Sequence, residues 1–319
     1  MNKIHLLDNG LINKIAAGEV VERPASVVKE LMENSIDAGA TSITVEIAEG
    51  GTSVIKITDN GKGIPKDEIR TAFMRHATSK IDSFEDLENV LTLGFRGEAL
   101  SSIASVAQVE MLTRTESDSM GTRIVINGGV VDREEECAAN VGTVFYVKNI
   151  FFNTPARRKF LKKPATEGSY ISEIVNRIAL GHPNIAIKYI NNGNIVLQTN
   201  GDGNVKNSLF YIYGKDIASK MLNLESEKEG YILKGLVGKP ELSRGNRNYE
   251  NFFINGRFIN STLVQNAVED AYKNKIMIGK FPIFALNLIV PSNTVDVNVH
   301  PTKLEVRFYD ENFIYDLIY

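Results

Sequence analysis

The stretch "VVKELMENSIDAGATSITVEI", residues 27–47, reads as a helix running straight into a strand. Val27, Val28, Leu31 and Met32 recur at helical spacing, Pro24 suits a first helical turn, and Gly39 stands where a C-terminal cap belongs. Beyond it, "SITVEI" alternates through Ile43, Val45 and Ile47, Gly50-Gly51 makes a turn, and "SVIKITD" returns as an antiparallel partner. Glu30 and Asn34 stand four residues apart, so both project from one side of the helix. A solvated face explains such a pair, and so does a site that holds a metal and a water.

Further along the chain, helices are expected over 66–76, 84–91, from "GEALSSIA" onward and over 166–180. Strands are expected near 106–114, 121–127, 143–148, 185–190 and 194–199. The pattern is α+β, with helices packed against one face of a mainly antiparallel sheet. "TNGDGNV", residues 199–205, reads as a linker, dividing the chain into domains 1–200 and 205–319. In the second domain, Asn255-Gly256 within "FFINGRFIN" signals a type I′ hairpin. A helix over 261–274, a strand over 282–290 and alternation from Val295 to Val299 follow. "ENFIYDLIY" stays apolar-periodic to the last residue without a cap, so the natural chain is expected to continue.

At 319 residues, 43% of them hydrophobic, two domains with sizeable cores are expected. The net charge of −3 excludes a polycation, so any nucleic-acid binding needs a local basic patch. Cys137 is the single cysteine and cannot form an internal disulfide, which points to a reducing, cytoplasmic setting. No run approaches the roughly 20 apolar residues needed to span a bilayer, and the N-terminus is too polar for a signal peptide.

Three further stretches carry chemistry. In "ITDNGKGIP", Asp59 shares parity with Ile55 and Ile57, so it continues the inward face of its strand. A buried carboxylate is costly unless something donates to it. An Asp-Asn-Gly turn is the plain alternative, and the second glycine, Gly63, weighs against it. In "LTLGFRGEALSSIASV", Gly94 and Gly97 bracket a loop that opens a helix, offering N–H groups suited to phosphate. "VGT" places Gly142-Thr143 at a strand start. There is no P-loop signature and no dinucleotide fingerprint after a strand.

Taken in order, Glu-x-x-x-Asn, Asp-x-Gly-x-Gly, a Gly-rich lid and Gly-Thr resemble the Bergerat ATP-binding fold. DNA gyrase B subunits, heat-shock chaperones, sensor histidine kinases and MutL mismatch-repair proteins share that fold. The strings "IAAGEVVERPASVVKELMENSIDAGAT", "RHATSKI", "LGFRGEALSSIASV", "FFNTPARRKFLK", "FINGRFI" and "VDVNVHPTKLEVRF" resemble the MutL family, from about Ile12 to Phe308. The resemblance implies a Bergerat-type α/β-sandwich ATPase domain followed by a smaller α+β domain of the ribosomal-protein-like type.

It also implies roles. Glu30 would act as general base on the attacking water, and Asn34 would bind Mg²⁺ through its side-chain oxygen. Asp59 would accept from the adenine amino group, Gly63 would let the base approach, and Thr143 would support its edge, with Ala38 and Ile64 also in the ATP site. Thr78, Ser79 and Lys80 would contact ribose and phosphate. Gly94, Phe95, Arg96, Gly97, Glu98, Ala99 and Leu100 would form the lid. Lys303 would reach from the second domain to the γ-phosphate; its plain reading is an edge-strand lysine.

Arg157, Arg158, Lys159, Lys162 and Lys163, with Arg257 at the hairpin, would bind DNA through its backbone, tolerant of sequence and sensitive to salt. A solvated face is the plain reading of such a run. The stretch before Ala16 resembles an arm that crosses to a second copy when ATP binds. The implied function is a slow Mg²⁺-dependent ATP hydrolase of DNA mismatch repair. Its nucleotide state would switch homodimerisation and contacts with DNA, the mismatch-recognition protein MutS and downstream repair enzymes. Two other readings remain: a type II topoisomerase ATPase subunit, which would need a lid and second domain unlike "FRGEAL" and "NVHPTKLEVRF", and a non-catalytic scaffold that keeps ATP as a structural ligand.

Overall fold

Helix α1 spans Pro24–Asp37 and forms where the periodicity places it, with Pro24 in its first turn and Val27, Val28, Leu31 and Met32 buried. Its end is a Schellman motif: Gly39 N–H donates to Ile36 O at 2.9 Å and Ala40 N–H to Ser35 O at 3.1 Å. Gly39 takes φ +76°, which suits glycine. The structure is a computed structural model and describes residues 10, 17–18, 20–78, 97–291, 295–296 and 307–319. The described residues form two compact units, one from 17–78, 97–175 and 186–198, the other from 176–185 and 199–319.

In the first unit, β1 (Ser42–Ala48) and β2 (Val54–Asp59) pair antiparallel, with Ile43 opposite Asp59 and Ile47 opposite Ile55. Further on lie α2 (Ile69–Ala72), α3 (Ala99–Val106), β3 (Gln108–Arg114), β4 (Gly121–Asn127), β5 (Val130–Cys137) and β6 (Gly142–Lys148). The chain then forms α4 (Pro155–Phe160), α5 (Pro164–Gly181), β7 (Ala186–Asn191) and β8 (Asn194–Gln198). One eight-stranded sheet results, in the order β5-β4-β3-β6-β2-β1-β7-β8. Among the described residues only β1 and β7 run parallel within it, and α5 lies between β6 and β7 in the chain.

The two faces of this sheet differ as the alternation requires. Ile43, Val45, Ile55, Ile57, Met111, Phe145 and Val147 are buried on one face, with Ile103 of α3 and Ile171 of α5 also in the core. Burying each such side chain contributes roughly 1.5–3 kcal/mol. The opposite face carries a polar ladder, in which Lys56 pairs with Glu46 at 2.7 Å and Arg123 with Glu110 at 2.8 Å.

In the first unit the structure corrects the expected elements in two places. The helix expected over 66–76 contracts to α2, because Ile69 alone is buried there and a longer helix has no apolar face to dock. Strand β5 and helix α4 are additions to the expected set. Every residue of β5 is exposed or half-buried, so this edge strand carries no alternation to read. The helix expected over 84–91 lies outside the described residues.

The second unit contains α6 (Val205–Tyr213), α7 (Lys215–Ala218), β9 (Met221–Lys228), β10 (Tyr231–Gly238), β11 (Glu250–Ile254) and β12 (Arg257–Phe258). It continues with α8 (Thr262–Ala271), β13 (Phe284–Ile289), the short pair β14 (Val295–Asp296) and β15 (Arg307–Phe308), and α9 (Glu311–Ile318). Its sheet has the order β12-β11-β13-β10-β9, with β11 parallel to β13. Asn255 (φ +50°) and Gly256 (φ +83°) form the expected two-residue turn between β11 and β12. Phe252, Ile254, Val264, Val268, Leu286, Phe308, Ile314 and Ile318 fill a core between sheet and helices. Residues 297–299 of the expected strand lie outside the described set.

One buried acid stands out in this unit. Glu250 is 5% exposed, with Arg247 Nε 3.8 Å away. Arg247 is held elsewhere, donating to both carboxylate oxygens of Glu269 at 2.6 and 3.0 Å and lying 4.3 Å over the Phe281 ring. Burial, followed by the negative charge of Glu269, pushes the Glu250 carboxyl up to about 8.

Candidate functional site

Asp59 ends β2 as a residue only 8% exposed, on the inward face its parity predicts. Ser35 of α1 donates from Oγ to Asp59 Oδ2 at 2.9 Å, and Gly61 N–H donates to Oδ1 at 2.9 Å. Burial raises the Asp59 pKa, while the Gly61 N–H, the Ser35 hydroxyl and the Thr143 N–H pull it back. The carboxylate offers about four acceptor positions, so one remains beyond these three bonds. A carboxylate held this way can accept a further N–H from a flat polar ligand.

Around Asp59 the fold gathers residues far apart in sequence. Thr143 lies opposite it across the β2–β6 pairing and is 6% exposed. Thr113 of β3 lies 3.2 Å from Thr143, hydroxyl to hydroxyl, and accepts from Ile64 N–H at 2.9 Å. Ala38 O accepts from Lys62 N–H at 3.0 Å, and a Cβ on Gly61 would stand 2.9 Å from Ala38 Cβ. Gly63 has φ +72°, and a Cβ there would stand 2.2 Å from Arg114 O. The packing of this loop against the end of β3 therefore demands glycine on its own account. Ala38, Asp59, Gly63, Ile64 and Thr143 form one cluster.

Glu30 and Asn34 are half-buried on α1. Lys29 Nζ lies 3.5 Å from Glu30 Oε1 and 3.3 Å from Glu33 Oε1, bridging two acids of the same helix. Asn34 directly precedes Ser35, so α1 links the Asp59 cluster to Glu30 one turn back. A second group lies at the start of α3. Gly97 has φ +61° and sits so close to residue 77 that a Cβ would reach 2.5 Å from Ala77 O. Glu98 Oε1 lies 3.4 Å from Arg75 Nη2 and 3.3 Å from His76 Nδ1, with Ala99 and Leu100 following in α3. Thr78 adjoins Ala77 in the chain. Ser79, Lys80, Gly94, Phe95, Arg96 and Lys303 lie outside the described residues.

The basic run divides. Arg158, Lys159, Lys162 and Lys163 are exposed, whereas Arg157 is half-buried with its guanidinium against Gly18. Arg257 is 9% exposed in β12, which is not the open position a phosphate contact needs. Two functional candidates escaped the sequence reading. Ser35 lies on the apolar stripe of α1, four residues after Leu31, and a serine there signals a buried hydrogen bond. Thr113 carried no signal, because its partners come from two other segments. Among the described residues, no group of three His, Cys, Asp or Glu could hold a metal, and no helix is long and apolar enough to cross a membrane.

The first unit has the fold of an ATPase class. A family profile described as "Histidine kinase-, DNA gyrase B-, and HSP90-like ATPase" matches residues 22–141. One described as "DNA mismatch repair protein, C-terminal domain" matches residues 209–319. DNA mismatch repair protein MutL of Agathobacter rectalis is 54% identical over 315 residues, which is 99% of this chain and 48% of that protein. MutL of Caldanaerobacter subterraneus is 47% identical over 319 residues, 100% of this chain and 54% of that protein. The solved Aquifex aeolicus MutL ATPase domain complexed with ADP superposes with a TM-score of 0.67 at 25% identity, covering 94% of this chain and 98% of that one. The chain belongs to the MutL family of DNA mismatch-repair proteins. It spans about half the length of the curated relatives it matches.

Proposed function

We propose that this chain binds and hydrolyses ATP with Mg²⁺, and that its nucleotide state switches self-association and engagement of DNA and repair partners. The observation that carries the reading is the Ser35–Asp59 bond at 2.9 Å. It ties the helix bearing Glu30 and Asn34 to a buried carboxylate able to accept from a base. Asp59 takes the adenine amino group, with Thr143, Ala38, Gly63 and Ile64 around the ring. Glu30 accepts the proton of the attacking water.

Asn34 suits Mg²⁺ as a neutral oxygen ligand. Such an ion takes most of its ligands from phosphates and water, so one side-chain oxygen suffices on the protein. When bound, Mg²⁺ supplies positive charge to the phosphate oxygens. Thr78, Ser79, Lys80 and the lid from Gly94 to Leu100 serve the phosphates, and Lys303 belongs to the same proposal. DNA contact is assigned to Arg158, Lys159, Lys162 and Lys163.

Glu30→Ala tests the reading. ATP binding by calorimetry should persist while phosphate release falls by about two to four orders of magnitude. Unchanged turnover would remove Glu30 from the role. A non-hydrolysable ATP analogue should shift the chain to a larger elution size, and Asn34→Ala should abolish that shift.

A further inference from the structure

The turn after α8, residues 272–280, reads "YKNKIMIGK" and exposes two large apolar side chains at its tip. Met277 is 77% exposed and Ile278 wholly so. The tip is built as a firm turn. Lys275 N–H donates to Tyr272 O at 2.9 Å and Lys280 N–H to Met277 O at 3.1 Å. Asn274 and Gly279 adopt positive φ, +65° and +77°. Its base is fastened by the Tyr272 hydroxyl, which donates to Gly238 O, and by paired bonds between Arg244 and Phe281, both 2.8 Å.

Charge surrounds the apolar tip. Lys273, Lys275 and Lys280 are exposed on the turn, and Arg244 is half-buried on the strand segment bonded to its base. Lys275 Nζ donates to Ala271 O at 2.9 Å, at the end of α8. The two acids that end α8 are engaged away from the tip: Glu269 holds Arg247, and Asp270 accepts from the Tyr315 hydroxyl at 2.6 Å. The tip therefore presents two apolar side chains inside a cationic rim, which fits an anionic partner with an apolar interior.

Duplex DNA is such a partner, and we infer that this turn is a DNA wedge. Met277 and Ile278 enter between base steps from the minor groove while Lys273 and Lys280 take the flanking phosphates. One or two apolar side chains suffice for a wedge that unstacks a step. A lipid surface requires a broader apolar face, as on an amphipathic helix. This inference rests on the DNA-binding part of the proposed function and adds the residues that deform the duplex.

The test uses the whole chain and a short duplex carrying the fluorescent base aminopurine at several steps. Binding should raise its emission as a step unstacks. Met277→Ser with Ile278→Ser should remove the rise and weaken binding about tenfold, because most of the apolar burial lost is offset by the unstacking no longer incurred. Lys273→Gln with Lys280→Gln should lower the slope of log affinity against log salt by about two. Duplex binding without any rise in emission, or the same rise in the serine variant, overturns the wedge and leaves the DNA-binding reading intact. Absence of duplex binding under low salt overturns both. Capture of the parent chain but not the serine variant by phosphatidylserine vesicles, with equal duplex affinities, would reassign the tip to lipid.

Discussion

Replacing Glu250 by glutamine keeps the shape of the side chain and removes its charge. In the folded chain this carboxyl is pushed up to about 8, against an ordinary 4.5, by burial and by Glu269. Between those two values the folded state holds a proton that the unfolded state has released. Stability therefore falls as pH rises from about 4.5 and levels off above about 8. Each pH unit inside the window costs about 1.4 kcal/mol, so about 3 kcal/mol has accumulated by pH 7. Below the window both states are protonated and the penalty disappears. The Glu250→Gln variant has no proton to lose at this position, so its curve lacks this slope. Urea unfolding of both proteins, followed by a probe in the second unit, should show the variant gaining on the parent by about 3 kcal/mol between roughly pH 5.5 and 8. A gap that stays flat over that range means Glu250 ionises as an ordinary surface glutamate, and the reasoning from burial fails.

Ser35→Ala removes a donor from buried Asp59, so stability should fall by about 1–3 kcal/mol. ADP affinity measured by calorimetry should fall with it, more steeply at lower pH, where the less supported carboxylate protonates first; unchanged affinity would separate Ser35 from the site. Gly63→Ala forces a Cβ to within 2.2 Å of Arg114 O at φ +72°, and a melting temperature within a degree or so of the parent would show that the loop yields freely. Thr113→Val keeps the volume but strips an acceptor from Ile64 N–H, so local amide exchange at Ile64 should quicken at a global cost of about 1–3 kcal/mol.

Much of the fold could be read locally. Helical spacing marked α1, alternation marked β1 and β2, and Asn255-Gly256 marked its hairpin, because each pattern is a short-range consequence of backbone geometry. The same rule of alternation turned Asp59 inward, and the structure places it there, 8% exposed. The family strings pointed to the ATPase class before any contact was known. Elements without an apolar pattern stayed unread: β5 is held by edge pairing with β4, and α4 has no buried residue.

Local grammar, family and the identity of the ionisable groups were all legible along the chain. Which of those groups share an environment was settled by folding. Strand pairing set Thr143 opposite Asp59, and packing brought Ser35 to its carboxylate and Thr113 to Ile64. Burial withdrew Arg257 from the surface and left Glu250 beside Glu269. Such facts depend on solvent exclusion and on contacts between distant segments, which are properties of the folded surface and not of any one stretch of chain.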